Sequence, residues 1–364
     1  MNARRCVWFV IDSNPLRRWA LSLGCALLAL NVTAKEITVV SPSPYAPLPE
    51  AVTSFGAVTA NGWLYVFGGH KGERHDYSAD KVSGKFHRLR LKDGKTWEPL
   101  PASAAGQGLP LVAQGRYVYR LGGMAAKNPA GEKQDLHSTA LVQRYDPRRE
   151  RWEDFASLPA PRSSHDAVVI GKKLYVAGGW QMIGGTNKPI WPNKALVLDL
   201  SRSDKGWQEF AQPFQRRALA LAALGKRVYC IGGMNSDDKP TLAVDIYDTA
   251  TGQWSKGPDL PEGRFKGFSC SAIAQDGRIY VTAFKGDLLR LAADARSWEV
   301  VGRVQNPRMA HRIVTAGKRD LLVLGGEDGD SKRPDLELLV PAAAPIAVKP
   351  ATTAQTQITT TGTH

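Results

Sequence analysis

The chain has 364 residues, 43% of them apolar and 23% charged, enough for one large core or two modest ones. Gly (35) and Pro (23) are numerous enough for many tight turns and too few for a low-complexity chain. Lys and Arg number 48 against 34 Asp and Glu, a formal charge of +14. That surplus favours an anionic partner without choosing among nucleic acid, membrane and acidic sugar.

Residues 1–34 read as a cleaved secretory signal. Arg4, Arg5, Arg17 and Arg18 precede an apolar run at 19–30, and Val32-Thr33-Ala34 supplies small residues for cleavage after Ala34. The run is too short to span a bilayer, so no stable membrane span is expected. Ser22-Leu23-Gly24-Cys25 is a poor lipoprotein signal, because most of the apolar stretch follows the cysteine. The segment takes four Arg and one Asp with it, so the mature chain is net +11. Only Cys230 and Cys270 then remain, which excludes a disulfide scaffold; two independent buried thiols are expected over a bridge. Export, and the lack of a recognition motif, argue against nucleic acid.

Residues 36–40 alternate as an extended strand, followed by Pro47-Leu48-Pro49. A unit then repeats. Leu64-Tyr65-Val66-Phe67-Gly68-Gly69 is followed by Trp97, and Val118-Tyr119-Arg120-Leu121-Gly122-Gly123 by Trp152. Leu174-Tyr175-Val176-Ala177-Gly178-Gly179 is followed by Trp207, and Val228-Tyr229-Cys230-Ile231-Gly232-Gly233 by Trp254. A fifth copy, Ile279-Tyr280-Val281-Thr282-Ala283-Phe284, lacks the glycines but keeps Trp298. The sixth, Leu321-Leu322-Val323-Leu324-Gly325-Gly326, has no following Trp strand. Short apolar runs precede each glycine strand, and strands ending in Asp precede several of the Trp. Each unit therefore reads as four short strands with no helical period.

The double glycine, the spaced Tyr and the later Trp, on a beat near 50 residues, resemble the kelch family over about 36–340. The resemblance implies an all-β fold, a six-bladed β-propeller. With the sixth unit short of an outer strand, residues 36–40 are expected to supply it and close the ring. The expected organisation is a signal at 1–34, a propeller at 35–340 and a disordered Pro/Ala/Thr-rich tail at 341–364.

In such a ring the links between units and the loops after the glycines share one face, and those loops vary most in length. Arg162, Arg217, Arg264 and Arg308 open the inner strands and are expected to converge on the channel mouth, where guanidinium groups recognise carboxylate. The alternative is that each pairs with backbone or Asp between blades. His165 and His311 occupy equivalent positions near them, with a structural role weighed against a ligand contact. Trp180 and Trp191 flank the loop 181–192; Trp180 is a candidate for stacking on a sugar ring, weighed against packing of the long loop onto itself. No HxxH or CxxC spacing supports a metal, no cofactor is expected, and sparse acidic residues at the mouth (Glu262, Glu327, Asp328) argue against a paired-carboxylate hydrolase.

Two functions from different classes follow. One is an exported, periplasmic or extracellular binding protein that holds an anionic small molecule, an acidic glycan or an acidic peptide at the mouth. The other is an isomerase: six kelch units behind a signal are similar to the periplasmic sialic acid mutarotases (N-acetylneuraminate epimerases). That family binds a carboxylated sugar at the mouth and interconverts its anomers with an acid/base pair. No position here is matched to the catalytic acid, and the catalytic residues are left unassigned. The copper radical oxidases, also built on kelch units, need Tyr and His copper ligands plus a Cys–Tyr crosslink, a constellation with no counterpart in this sequence.

Overall fold

The computed structural model describes residues 37–341, apart from 186, 264 and 284. The expected signal, most of the expected tail, Arg264 and the last residue of the fifth glycine slot lie outside the described residues.

Six antiparallel four-stranded sheets follow one another along the chain as the blades of a propeller. Blade 1 consists of Gly56–Ala60, Trp63–His70, Val82–Arg90 and Trp97–Leu100. Blade 2 is Leu111–Gln114, Tyr117–Leu121, Val142–Asp146 and Arg151–Asp154, and blade 3 is Ser163–Ile170, Lys173–Trp180, Lys194–Asp199 and Gln208–Ala211. Blade 4 is Ala220–Leu224, Arg227–Ile231, Val244–Asp248 and Gln253–Lys256; blade 5 is Ser271–Gln275, Arg278–Thr282, Asp287–Leu291 and Trp298–Arg303. Blade 6 takes three strands from the end of the described chain, Arg312–Thr315, Leu321–Leu324 and Leu336–Pro341. Its outer strand is Ile37–Val40, paired from Ile37 opposite Pro341 to Val40 opposite Leu338. The ring closes as the sequence requires, and a sheet edge that would otherwise be open is paired.

The near-continuous apolar runs before the glycines have a simple cause. Side chains alternate across a strand, and each blade is covered on both faces. Leu64 and Val66 enter the core shared with blade 6, whereas Tyr65 and Phe67 enter the core shared with blade 2. Leu321 and Val323 likewise face blade 5 while Leu322 and Leu324 face blade 1. The result is six separate apolar cores, one at each joint. Cys230 lies in the joint between blades 3 and 4 and Cys270 in that between blades 4 and 5. They face opposite sides of blade 4 and remain free thiols, each pushed up to about 12 by burial.

The glycine pairs are joints as well. Gly122 has φ +54°, and a Cβ there would stand 2.3 Å from the Arg162 carbonyl of blade 3. The amide of the next residue, Gly123, donates to that same carbonyl at 2.9 Å. Gly69, Gly233 and Gly326 repeat the bond, to Gly106, Gly267 and Val52 of the following blade. The five recurring tryptophans tie the outer rim. Trp97, Trp152, Trp207, Trp254 and Trp298 each donate Nε1 to a carbonyl of the link entering their own blade: Ala46, Pro101, Ala156, Ala211 and Pro258. Each indole thereby joins large apolar burial to one satisfied donor.

Candidate functional site at the loop face

The links between blades and the loops after the glycines emerge on one face, the loop face; the tight turns emerge on the other, the hairpin face. At the loop face, six residues just ahead of the inner strands take the left-handed conformation: Ser54, Gly108, Ser164, Ala218, Ser269 and Ala310, with φ between 50° and 61°. Five of their amides donate around the ring to the carbonyl of the previous blade's residue, Ser54 N to Ala310 O, Gly108 N to Ser54 O and onward, at 2.6–3.0 Å. The sixth, Ala310 N, donates to Ser269 Oγ at 3.1 Å. These residues line a small cavity of about 60 Å³ with His165, His311 and Arg312. Below it, a chamber of about 310 Å³ runs between the inner strands. Arg312 lines both spaces. Its guanidinium donates to Phe55 O, Leu109 O and Asp166 Oδ1, tying blade 6 to blades 1, 2 and 3 across the channel.

The ring gives the repeat its true register. Two residues before it stand Val52, Gly106, Arg162, Arg216, Gly267 and Arg308; one residue before it stand Thr53, Gln107, Ser163, Arg217, Phe268 and Met309. Arginines of the first set turn into their own blade. Arg162 donates to Gly178 O (3.3 Å) and Lys194 O (3.1 Å). Arg216 donates to Gly232 O and Ala243 O and pairs with Asp245 at 2.6 Å. Arg308 donates to Gly325 O and Asp335 O and pairs with Asp335 and Glu337. The expected convergence of four arginines on the mouth is therefore corrected. Arg162 and Arg308 are buried against backbone and acids of their own blades, the alternative weighed from the sequence. The repeat partner of these two is Arg216, not Arg217; a one-residue shift sends a strand side chain to the opposite face.

Arg217 does reach the mouth. Its guanidinium lies 4.1 Å from the Trp180 ring centroid and 5.6 Å from that of Phe268. It donates to Met234 Sδ at 2.9 Å and pairs with the exposed Asp238 at 3.5 Å. Trp180 packs against Trp191 with centroids 5.6 Å apart. Both Arg217 Nε and Trp180 Nε1 are buried without a hydrogen-bond partner, as is Gln107 Nε2. Loops from blades 1, 2 and 3 close around this point through Tyr77, Val82, Met124, Leu136 and Met182. Tyr77 lies near enough to feel three charges. Burial and the Glu327 carboxylate raise its phenol, while Arg217 and Arg74 act in the opposite sense. Glu327 is held by Arg74 at 2.9 Å.

The two histidines are wedges between blades. His165 Cε1 lies 3.0 Å from where a Cβ on Gly122 would stand, and neither ring nitrogen has a partner. His311 Nε2 bonds Thr282 Oγ1 at 2.6 Å, in the unit whose glycines are missing. Burial, with Arg308 and Arg312 nearby, lowers His311 to about 3; burial with Arg162 and Arg312 holds His165 well below its ordinary value. Both are neutral at physiological pH. Among the described residues no three His, Cys, Asp or Glu side chains are grouped to hold a metal. Sequence reasoning did not find Arg216, Arg312, Gln107 or Tyr77. For Arg216 and Gln107 the signal was present, in their distance from the glycine pair.

The comparisons agree with this architecture. The chain is 25% identical over 320 residues to human "Kelch repeat and BTB domain-containing protein 12", covering 80% of this chain and 49% of that protein. It is 26% identical over 271 residues to mouse "Kelch-like protein 23", covering 72% of this chain and 43% of that protein. The chain thus spans about half the length of the curated relatives it matches. A solved structure described as "Structure of YjhT" has the same fold, with TM-score 0.65, 17% identity and coverage of 81% of this chain and 97% of that one. The family model "KLHDC2/KLHL20/DRC7 Kelch-repeats domain" matches residues 56–286, more than half of the chain. With six four-stranded blades and that match, the chain belongs to the Kelch-repeat family.

Proposed function

We propose that this protein is an exported binding module that holds an anionic ligand, a carboxylated sugar or an acidic peptide, at the loop-face mouth. The observation that carries the reading is Arg217: a guanidinium stacked on Trp180, with an unpartnered buried Nε beside an unpartnered indole N–H. A planar cation on an aromatic floor suits a carboxylate joined to a ring, the carboxylate taking bidentate hydrogen bonds and the ring lying on the indole. Asp238, exposed and 3.5 Å away, is a counter-ion that an incoming carboxylate would replace. Arg162, Arg308, His165 and His311 support the mouth from within the blades, and Arg264 is assigned no part.

The test is calorimetric titration of the purified chain with N-acetylneuraminate and glucuronate, with N-acetylglucosamine as the neutral control. Binding of the acids alone, weakening with salt, is expected. Arg217→Ala is expected to cost about 2–5 kcal/mol of affinity, because the cation is largely withdrawn from water. Equal binding of the neutral sugar, or an unaffected variant, overturns the reading.

A second reading is anomer exchange of a carboxylated sugar. It is favoured by Glu327, fixed by Arg74 and felt by the Tyr77 phenol, an acid/base pair on the rim of the same mouth. Exchange measured by NMR decides it: acceleration lost in Glu327→Gln supports catalysis, and binding without acceleration supports the module. Export is part of the proposal, and N-terminal sequencing of the secreted chain is expected to begin at Lys35.

A further inference from the structure

The basic surplus is not spread evenly. Residues 37–341 hold 42 Lys and Arg and 32 Asp and Glu, net +10. The hairpins and turns of the face opposite the mouth are residues 61–63, 90–96, 114–117, 146–151, 171–173, 199–206, 225–227, 248–252, 276–278, 292–297 and 317–320. They contain seventeen of those cations and nine of the anions. Net +8 of the +10 therefore sits on the hairpin face. The inner hairpins of blades 2 to 6 all carry Lys or Arg, and blade 1 contributes Lys92 and Lys95 from its outer turn. Lys172, Lys173, Lys226, Arg278 and Lys318 are exposed and make no ion pair.

We propose that the hairpin face docks electrostatically on an anionic bilayer surface, leaving the mouth turned to solution. Two observations favour a bilayer over a polyanionic chain. Every blade contributes cations, from the inner hairpins of blades 2 to 6 and the outer turns of blades 1, 2, 3 and 5, as a plane requires; a chain would need them in a line. No large apolar side chain is exposed among the described residues of this face: Ile190 and Phe265 belong to loop-face segments and Val300 to an outer strand. Contact is then with headgroups, without insertion.

The experiment is co-sedimentation of the full chain with sucrose-loaded vesicles of 30% phosphatidylglycerol in phosphatidylcholine, with pure phosphatidylcholine as the control. The control measures any contribution from the apolar run at 19–30. Each Lys or Arg near an anionic surface strengthens partition about fivefold, so Lys172→Glu/Lys226→Glu/Lys318→Glu is expected to lower the phosphatidylglycerol-dependent partition at least about a hundredfold. Raising the salt from 0.05 to 0.5 M is expected to abolish it. The loop-face triple Lys133→Glu/Lys188→Glu/Lys239→Glu removes the same net charge and is expected to leave partition within a few fold. Equal loss in both triples makes net charge, not the face, the cause and overturns the proposal. So does absence of phosphatidylglycerol-dependent binding, or capture by dextran sulfate with none by vesicles. None of these outcomes bears on ligand binding at Arg217, which lies on the other face.

Discussion

Neutral His311 makes the fold sensitive to mild acid by a calculable amount. Its pKa is about 3 in the folded protein against an ordinary 6.5. Between those values the unfolded chain binds one more proton than the folded one, so stability rises with pH. It is greatest above pH 6.5, falls as pH drops below 6.5 and levels off below about 3. The slope approaches about 1.4 kcal/mol per pH unit, and the integrated loss from pH 8 to pH 5 is about 2 kcal/mol. His165, fully buried beside Arg162 and Arg312, adds a loss of the same sign. The perturbation is His311→Gln, whose amide can still reach Thr282 Oγ1 and cannot titrate. Urea unfolding of both proteins at pH 8 and pH 5 gives the change in stability for each. At pH 8 the variant is expected to be the weaker, through poorer packing. From pH 8 to pH 5 it is expected to lose about 2 kcal/mol less than wild type. Equal losses would refute the reasoning, since the imidazole would then titrate alike in both states and could not be the neutral wedge its surroundings require.

Two further perturbations separate joints from site. Gly122→Ala places a Cβ 2.3 Å from the Arg162 carbonyl at φ +54°, and is expected to cost about 2–5 kcal/mol by strain and overpacking. Gly115→Ala, at φ +58° with open space around it, is expected to cost only about 1–2 kcal/mol; thermal unfolding compares them, and equal costs would remove the blade contact as the reason for the double glycine. Arg216→Met strands buried Asp245 with only the exposed Lys256 as partner, for an expected loss of about 3 kcal/mol. Arg217→Met, one residue on, is expected to shift stability by less than about 1 kcal/mol while removing acidic-ligand binding; the reverse pattern in unfolding and titration would invalidate the register.

The scaffold was legible in the sequence because one physical cause repeats in it. A blade buried on both faces needs apolar residues at successive positions of its second strand, and the contact with the next blade needs a residue without Cβ at the end of that strand. Leu64 to Gly69 and its copies record both needs together, and the lack of a sixth Trp strand pointed to residues 36–40 as the closing edge. The mouth was less legible because its register turns on a single position. Gln215-Arg216-Arg217 offers two adjacent arginines, and nothing local says which enters the blade and which the channel. Arg312 was invisible for another reason: its partners Phe55, Leu109 and Asp166 are brought to it only by closure of the ring.

Once the left-handed ring is placed, the repeat specifies the mouth residue by residue. The tier one position above the ring is Thr53, Gln107, Ser163, Arg217, Phe268 and Met309, one from each blade. Five of these are uncharged, and the one cation is flanked by Phe268 and by Trp180, which stands opposite Ser163 in the neighbouring blade. Such a tier offers one guanidinium and an aromatic wall, which matches a ligand with a single carboxylate on a compact ring better than a polyanion. The larger cationic surplus lies instead on the hairpin face. Under the two proposals the faces divide the net charge between two kinds of recognition: one specific cation where a small ligand can be enclosed, and many diffuse ones where a surface can be met.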